Sequence, residues 1–584
     1  MTRATTRTSV TNLLVIGTGA AGLRAAIAGH DAGVEVTVVG KRPRKDAHTV
    51  LAAGGINAVL GTRDPDDSWQ QHAADTLAEG YFLPDPTFAE LLARDAPAAI
   101  AELDEWGCDF ARTDEGAIDQ RYFGAHTYRR TCYAGDYTGR AILDTLADRV
   151  TELGIDVIED CYVSDLLVDE GRCFGALAFD QHTGDRTVVL ADAVVLAAGG
   201  HTRLWRQSSS RRDENTGDAM ALALRAGATL ADMELVQFHP TGMVHPEDWA
   251  GVLVTEAVRG EGGVLRNAEG ERFMERYDAE RLELSSRDRV ALANYSELRA
   301  GRGGPHGGVF LDVTHLDRDQ LLEKLPRMYR QFLDSQLIDI ASETMEVAPT
   351  AHYSMGGVVV EPATGATEVR GLYAAGEATA GLHGANRLGG NSLAETVVFG
   401  RRAGEAASAF SLDQDVQLRS RHRIAAAHAR LDSFVHEGRE FARPLQRAVR
   451  DELWRTAGVV RDEETIDEGL ATLGGIREAA TGIDVRPSSE GWTDLAHALD
   501  LDGSLLAAEA TLLGARERRE SRGAHTRSDH PDLDPNLGVR ITARLDEDGS
   551  LVTGRATVPS VPEHLRELAQ QAAELEAGGE RLLE

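Results

Sequence analysis

Residues 383–393 read His-Gly-Ala-Asn-Arg-Leu-Gly-Gly-Asn-Ser-Leu, a glycine-rich turn with one arginine that runs into a long helical pattern. An apolar run, Gly371 to Ala375, precedes it. Ser392 and Glu395 stand at the spacing of a capping box. A helix N-terminus offers free backbone N–H groups and about half a positive charge. Arg387 adds a planar, permanently charged fork. Together these groups suit an anionic ligand. The same residues would also make an ordinary capped helix with a surface arginine.

A second turn is built the same way. Gly17-Thr-Gly19-Ala20-Ala21-Gly22 follows a short apolar strand, Asn12 to Ile16, and leads through an alanine-rich helix to a second strand, Glu35 to Val39. Strand, GxGxxG, helix and strand in one unit is the dinucleotide-binding context. Its glycines let a pyrophosphate reach the helix N-terminus. The acid expected after the second strand is missing, and Gly40-Lys41-Arg42 stands there. Asp218, at the start of a later helix, could take that ribose role. Residues 46–61 form a small-residue loop with His48, Thr49 and Gly54-Gly55, and paired glycines let something flat approach the backbone. By residue type alone His48 is a plain loop histidine. The buried run Ala193 to Ala198 ends in Gly199-Gly200, which again suits a backbone passing close to a nucleotide.

The elements that must position these residues fall into several bodies. At 584 residues the chain exceeds one domain. Residues 12–245 and 346–410 read as one α/β nucleotide-binding domain interrupted by an α+β cap, residues 246–345. Residues 411–530 read as a helical domain. Residues 531–584 form a tail with a hairpin signal and a final helix from about Pro562.

Net charge is −33. That argues against nucleic acid or an anionic membrane surface as a direct partner. Any anionic substrate must be drawn in by a local basic cluster working against the overall field. The four cysteines, Cys108, Cys132, Cys161 and Cys173, form no CxxC pair, so no metal site or iron–sulfur cluster is expected and a reducing compartment fits. The polar stretch Met1 to Thr11 lacks an apolar signal core. No apolar run is long enough to span a bilayer.

Taken together, the motifs resemble the flavoprotein subunit of succinate dehydrogenase and fumarate reductase. The matching pieces are Gly17 to Gly22, His48-Thr49 with Gly54-Gly55, Phe123-Gly124, Phe238-His-Pro-Thr-Gly242, Thr255-Glu256 with Arg259 to Gly263, Ser286-Arg287-Asp288, His352-Tyr with Met355-Gly-Gly, His383 to Leu393, and Glu520 to His525. The resemblance spans roughly residues 12–533.

It implies FAD in a Rossmann-like domain. The expected cofactor contacts are Gly17, Gly19, Ala20, Ala21, Gly22, Lys41, Thr49, Gly54, Gly55, Ala198, Gly199, Asp218, Glu377, Asn391, Ser392 and Leu393. His48 aligns with the position of covalent flavin attachment. Relatives usually carry Ser before that histidine, where Ala47 stands here, and Gln or Glu before the glycines.

The implied substrate is a four-carbon dicarboxylate, held by Arg387 and His352 at one end and by His239 and Thr255 at the other. General chemistry points to His239 or His352 as the acid–base, because imidazole titrates near neutrality. The resemblance instead implies Arg287, relayed through Glu256 and Arg259. It also implies two partners, a quinone-reactive membrane anchor and an iron–sulfur subunit, with this chain at the cytoplasmic face of the membrane. L-Aspartate oxidase shares many of the motifs but normally lacks the histidine at position 48. A pyridine-nucleotide disulfide reductase would need a second GxGxxG and a redox cysteine pair.

Overall fold

The computed structural model describes residues 5–415, 419–486 and 492–576. Its centre is a seven-stranded sheet in which β1 (Thr6–Ile16) lies between β2 (Val36–Val39) and β6 (Arg186–Leu196). Outside β2 lies β3 (Asp156–Ile158). The hairpin β4 (Cys161–Asp169) and β5 (Arg172–Asp180) extends β6 on the other side, and β7 (Leu372–Ala374) pairs with the end of β6. The hairpin and its pairing to β6 are antiparallel, and the other pairings are parallel. Leu13 to Ile16 and Val36 to Val39 are buried, as continuous apolar strands of a covered parallel sheet require.

β1 starts six residues before the expected Asn12. Its exposed half, Thr6 to Val10, pairs with Arg186 to Leu190 of β6. Backbone ladder bonds hold that half, and an apolar pattern cannot reveal them.

Helices α1 (Ala20–Asp31) and α2 (Asn391–Leu412) pack together on this sheet. A Cβ on Gly400 would meet the Ala21 carbonyl oxygen at 2.5 Å, and one on Gly404 would meet that of Ala25 at 2.3 Å. These two glycines let the backbones approach, and the matching offsets make the helices parallel. Gly400 lies nine residues into α2, while Ala21 lies one residue into α1. The N-terminus of α2 therefore overhangs that of α1 by about 12 Å, at 1.5 Å per residue.

The cap is built on an antiparallel sheet ordered Val236–Met243, Met345–Ser354, Val309–Asp312 and Val264–Arg266. Its first two strands also form the arms that join it to the central domain. Helix Arg287–Arg299 packs on them. Helices Ala442–Thr456, Glu463–Ala480 and Thr493–Glu517 follow.

The tail hairpin, Val539–Leu545 with Leu551–Thr557, joins a sheet with Leu230–Ala231 and Gly357–Val358. The last helix, Glu563–Glu576, sets Leu565 and Ala569 against Ala73, Ala74 and Leu77. The tail is thus packed onto the nucleotide domain.

Candidate active site

One cavity runs under the N-termini of α1 and α2. Gly17, Gly19, Ala20, Ala21, Lys41, His48, Thr49, Gly54, Gly55, Ala198, Gly199, Asp218, Glu377, Ser392 and Leu393 line it. Gly17 takes φ 120°, and a Cβ there would strike the Ala197 carbonyl oxygen at 2.1 Å. Only glycine allows that turn. Gly22 lies beneath, where a Cβ would meet the Gly17 carbonyl oxygen at 2.0 Å. Two helix ends staggered by about 12 Å along their axes, one of them above a glycine turn, fit a dinucleotide whose negative groups reach both.

Asn391 is not part of that lining. It is buried behind the turn, where its side chain meets Asn57, His72 and Thr76 at 2.8–2.9 Å. The capping box is also absent. Helix α2 begins at Asn391 after Gly390 in the left-handed region at φ 84°, with no side-chain cap. Glu395 turns instead to the Tyr353 hydroxyl and to His383 Nε2 at 3.0 Å. Buried partners outcompete a local bond for a carboxylate that has lost its water.

The cap contributes Thr255, Glu256 and Arg287 to the same cavity, and the arm strands contribute His239 and His352. Arg387 completes the set from the turn before α2. His239 and His352 sit on paired strands with ring centroids 5.2 Å apart. Register shifts at Gln237/Phe238 and His239/Gly242 re-aim the residues of this stretch.

Arg287 donates through Nε to Glu256 Oε2 at 2.8 Å and through Nη1 to Gln237 Oε1 at 3.1 Å. Arg387 Nη2 donates to the same Gln237 oxygen at 2.9 Å, and its guanidinium lies 4.4 Å from the Tyr353 ring centre. Arg259 is buried behind Glu256, with Nη2 3.8 Å from Oε2. Nε of Arg387 is buried with no protein partner.

Residues 12–393 match the FAD binding domain family, and residues 446–554 match the fumarate reductase flavoprotein C-terminal family. One subunit of the Methanothermobacter marburgensis fumarate reductase (CoM/CoB) is 42% identical over 530 residues, covering 90% of this chain and 95% of that one. The Rickettsia felis succinate dehydrogenase flavoprotein subunit is 38% identical over 568 residues, covering 93% and 94%. A solved E. coli quinol fumarate reductase chain superposes with TM-score 0.91 at 33% identity, covering 96% of this chain and 99% of that one. The chain belongs to the succinate dehydrogenase/fumarate reductase flavoprotein family.

In this flavoprotein the electrostatics single out the arginines. Burial, then Arg287 and Arg259, hold His239 well below the usual imidazole range. Burial, His239 and Arg387 do the same to His352. Burial alone would raise the Glu256 carboxyl, but Arg287 and Arg259 bring it down to about 2. Burial, with Arg287 nearby, lowers Arg387 to about 9. At neutral pH the site therefore holds neutral His239 and His352 imidazoles, an ionised Glu256 and a cationic Arg387.

Sequence reasoning missed three supports. Gln237 is the acceptor shared by both arginines, and its Nε2 donates to Asn386 Oδ1 and the Arg387 carbonyl, each at 2.8 Å. Glu214 holds His48 Nδ1 at 3.2 Å and is itself gripped by Arg211. Asp500, from the helical domain, shares Lys41 with Asp218 at 2.9 and 2.8 Å.

Gln237→Leu leaves two buried guanidinium N–H groups without their acceptor. It is expected to cost about 1–3 kcal/mol of stability and, by letting the arginines drift, about 10²-fold in turnover. Thermal unfolding and dye-linked turnover on flavin-loaded protein measure both. An unchanged Tm with an unchanged rate would contradict the bridge.

Proposed function

We propose that this chain interconverts succinate and fumarate. The observation that carries the reading is the convergence of Arg287 and Arg387, both buried and both bound to Gln237, on the cavity that also holds His239, Thr255 and His352. Bound FAD supplies a two-electron acceptor or donor of hydride.

The chain's own residues bind, orient and move the proton. Arg387 has an unused buried donor for one substrate carboxylate, with His352 beside it. His239 and Thr255 take the other carboxylate. Clamping both ends fixes the reacting C–C bond, and such positioning is worth several kcal/mol.

Arg287 then carries the proton to or from the substrate carbon. The histidines are poor acids here, because each is neutral at the pH where it would have to donate. Ionised Glu256, 2.8 Å from Arg287 Nε, can exchange that proton, with Arg259 behind it.

His48 is the attachment residue in this reading. Its Nδ1 is engaged by Glu214, which leaves Nε2 for the bond to flavin. All four cysteines are buried and unpaired. In this reading electrons leave through a partner, an iron–sulfur subunit joined to a quinone-reactive anchor. Among the described residues no helix is long and apolar enough to cross a membrane. In this reading the anchor would hold the chain at the cytoplasmic face. The relatives named above and the presence of His48 favour this reading over L-aspartate oxidase.

Arg287→Gln is expected to retain flavin and dicarboxylate binding while losing nearly all dye-linked turnover. Near-normal activity would move the proton role to a histidine. Acid precipitation of the wild-type protein is expected to leave the yellow colour with the pellet. His48→Ala should release it to the supernatant, and a colourless wild-type pellet would rule out the bond.

A further inference from the structure

A second, larger cleft adjoins the flavin cavity and shares Lys41, Leu51, Ser209, Asp213 and Leu253 with it. Its arginines come from three places: the loop near residues 203–213, the cap helix Pro326–Gln336, and the helical-domain element Ala442–Thr456. Nine arginines and Lys41 face it, against six carboxylates. The chain as a whole carries 94 acidic and 61 basic residues, so the cleft reverses the overall balance.

The carboxylates are largely engaged. Asp213, Asp248 and Asp500 are held at 2.9 Å by Arg42, Arg212 and Lys41, and Asp451 lies 3.8 Å from Arg206. Asp136 accepts the Arg327 backbone N–H at 3.0 Å. Among the described residues, Arg203, Arg330, Arg447 and Arg450 form no ion pair, although surface arginines elsewhere in this chain commonly do. Nε of Arg203 is buried and unpartnered. Burial, then Arg450 and Arg212, lowers Arg203 to about 9. Placing like charges together costs stability unless an anion visits them. The cleft also reaches the active site directly, because Ser209 Oγ lies 2.9 Å from His352 Nδ1.

We propose that this arginine-lined cleft is an electropositive vestibule that draws the dicarboxylate dianion from solvent toward His352 and Arg387. The inference rests on the dicarboxylate reading above. A chain of net charge −33 repels a dianion at long range. A cleft of opposite sign with low-dielectric walls focuses the field and raises the local anion concentration. Arginines without a carboxylate partner serve that purpose better than ion-paired ones.

The test is dye-linked turnover of the flavin-loaded full chain with succinate and fumarate, as a function of ionic strength. Arg447→Glu is expected to leave kcat and flavin content unchanged and to raise KM about tenfold at low salt, the lower end of steering effects. The difference should shrink toward nothing in about 0.5 M KCl, where the Debye length falls to a few ångströms. Arg330→Gln on the opposite wall should raise KM in the same direction by less, and it keeps the test available if the charge reversal unfolds the helix. Unchanged KM and salt slope in both variants would overturn the vestibule and leave the dicarboxylate reading standing. So would a loss seen only with a protein electron acceptor at unchanged dye-linked KM, which marks a docking surface. A wild-type holoenzyme with no dicarboxylate turnover would overturn both.

Discussion

Two buried guanidinium groups share one amide oxygen, and the rest of the site follows from keeping them there. Arg287 and Arg387 repel each other in a medium far less polarisable than water. Gln237 Oε1 accepts from both, Glu256 neutralises one, and the Tyr353 ring covers the other. The Arg387 charge left incompletely compensated is the attraction that a substrate carboxylate can satisfy. Burial and the same cations keep both histidines neutral, which in the proposed reading leaves the proton to Arg287.

That arrangement needs residues from several separate segments in register. The arm strands Val236–Met243 and Met345–Ser354 supply Gln237, His239 and His352 and hold the cap in the same sheet. Helix Arg287–Arg299 packs on those strands and places Arg287 at its first turn. The Gly400 and Gly404 contacts fix α2 against α1, so the turn carrying Arg387 and the nucleotide turn cannot move independently. In the proposed reading, cofactor and substrate would be aligned by one parallel helix pair and one antiparallel strand pair.

The nucleotide turn and its strands were legible because their information is local: glycine spacing, apolar runs and helix starts lie within one stretch. Residues 346–410 share the strand-and-glycine style of the first half, and β7 of that stretch joins the same sheet. Gln237 was not legible, although it stood beside His239 in plain view, because its partners lie 50 and 150 residues away. Asn391 was grouped with Ser392 and Leu393, yet a helix sends neighbouring residues to different faces, and Asn391 faces inward to Asn57 and His72. The Ser392–Glu395 capping box failed for the same reason: local spacing proposes a bond, and tertiary partners decide it. The basic cluster that an acidic chain would need was foreseen as a requirement, but its arginines come from three distant segments and no window of sequence contains it.

The pH dependence of kcat in dye-linked turnover tests the central claim most directly, that arginines rather than histidines carry charge and proton here. With His239 and His352 held neutral, kcat should show no ionisation near pH 6.5, the ordinary imidazole value. An inflection close to that pH, abolished by His239→Gln or His352→Gln with flavin retained, would contradict the account.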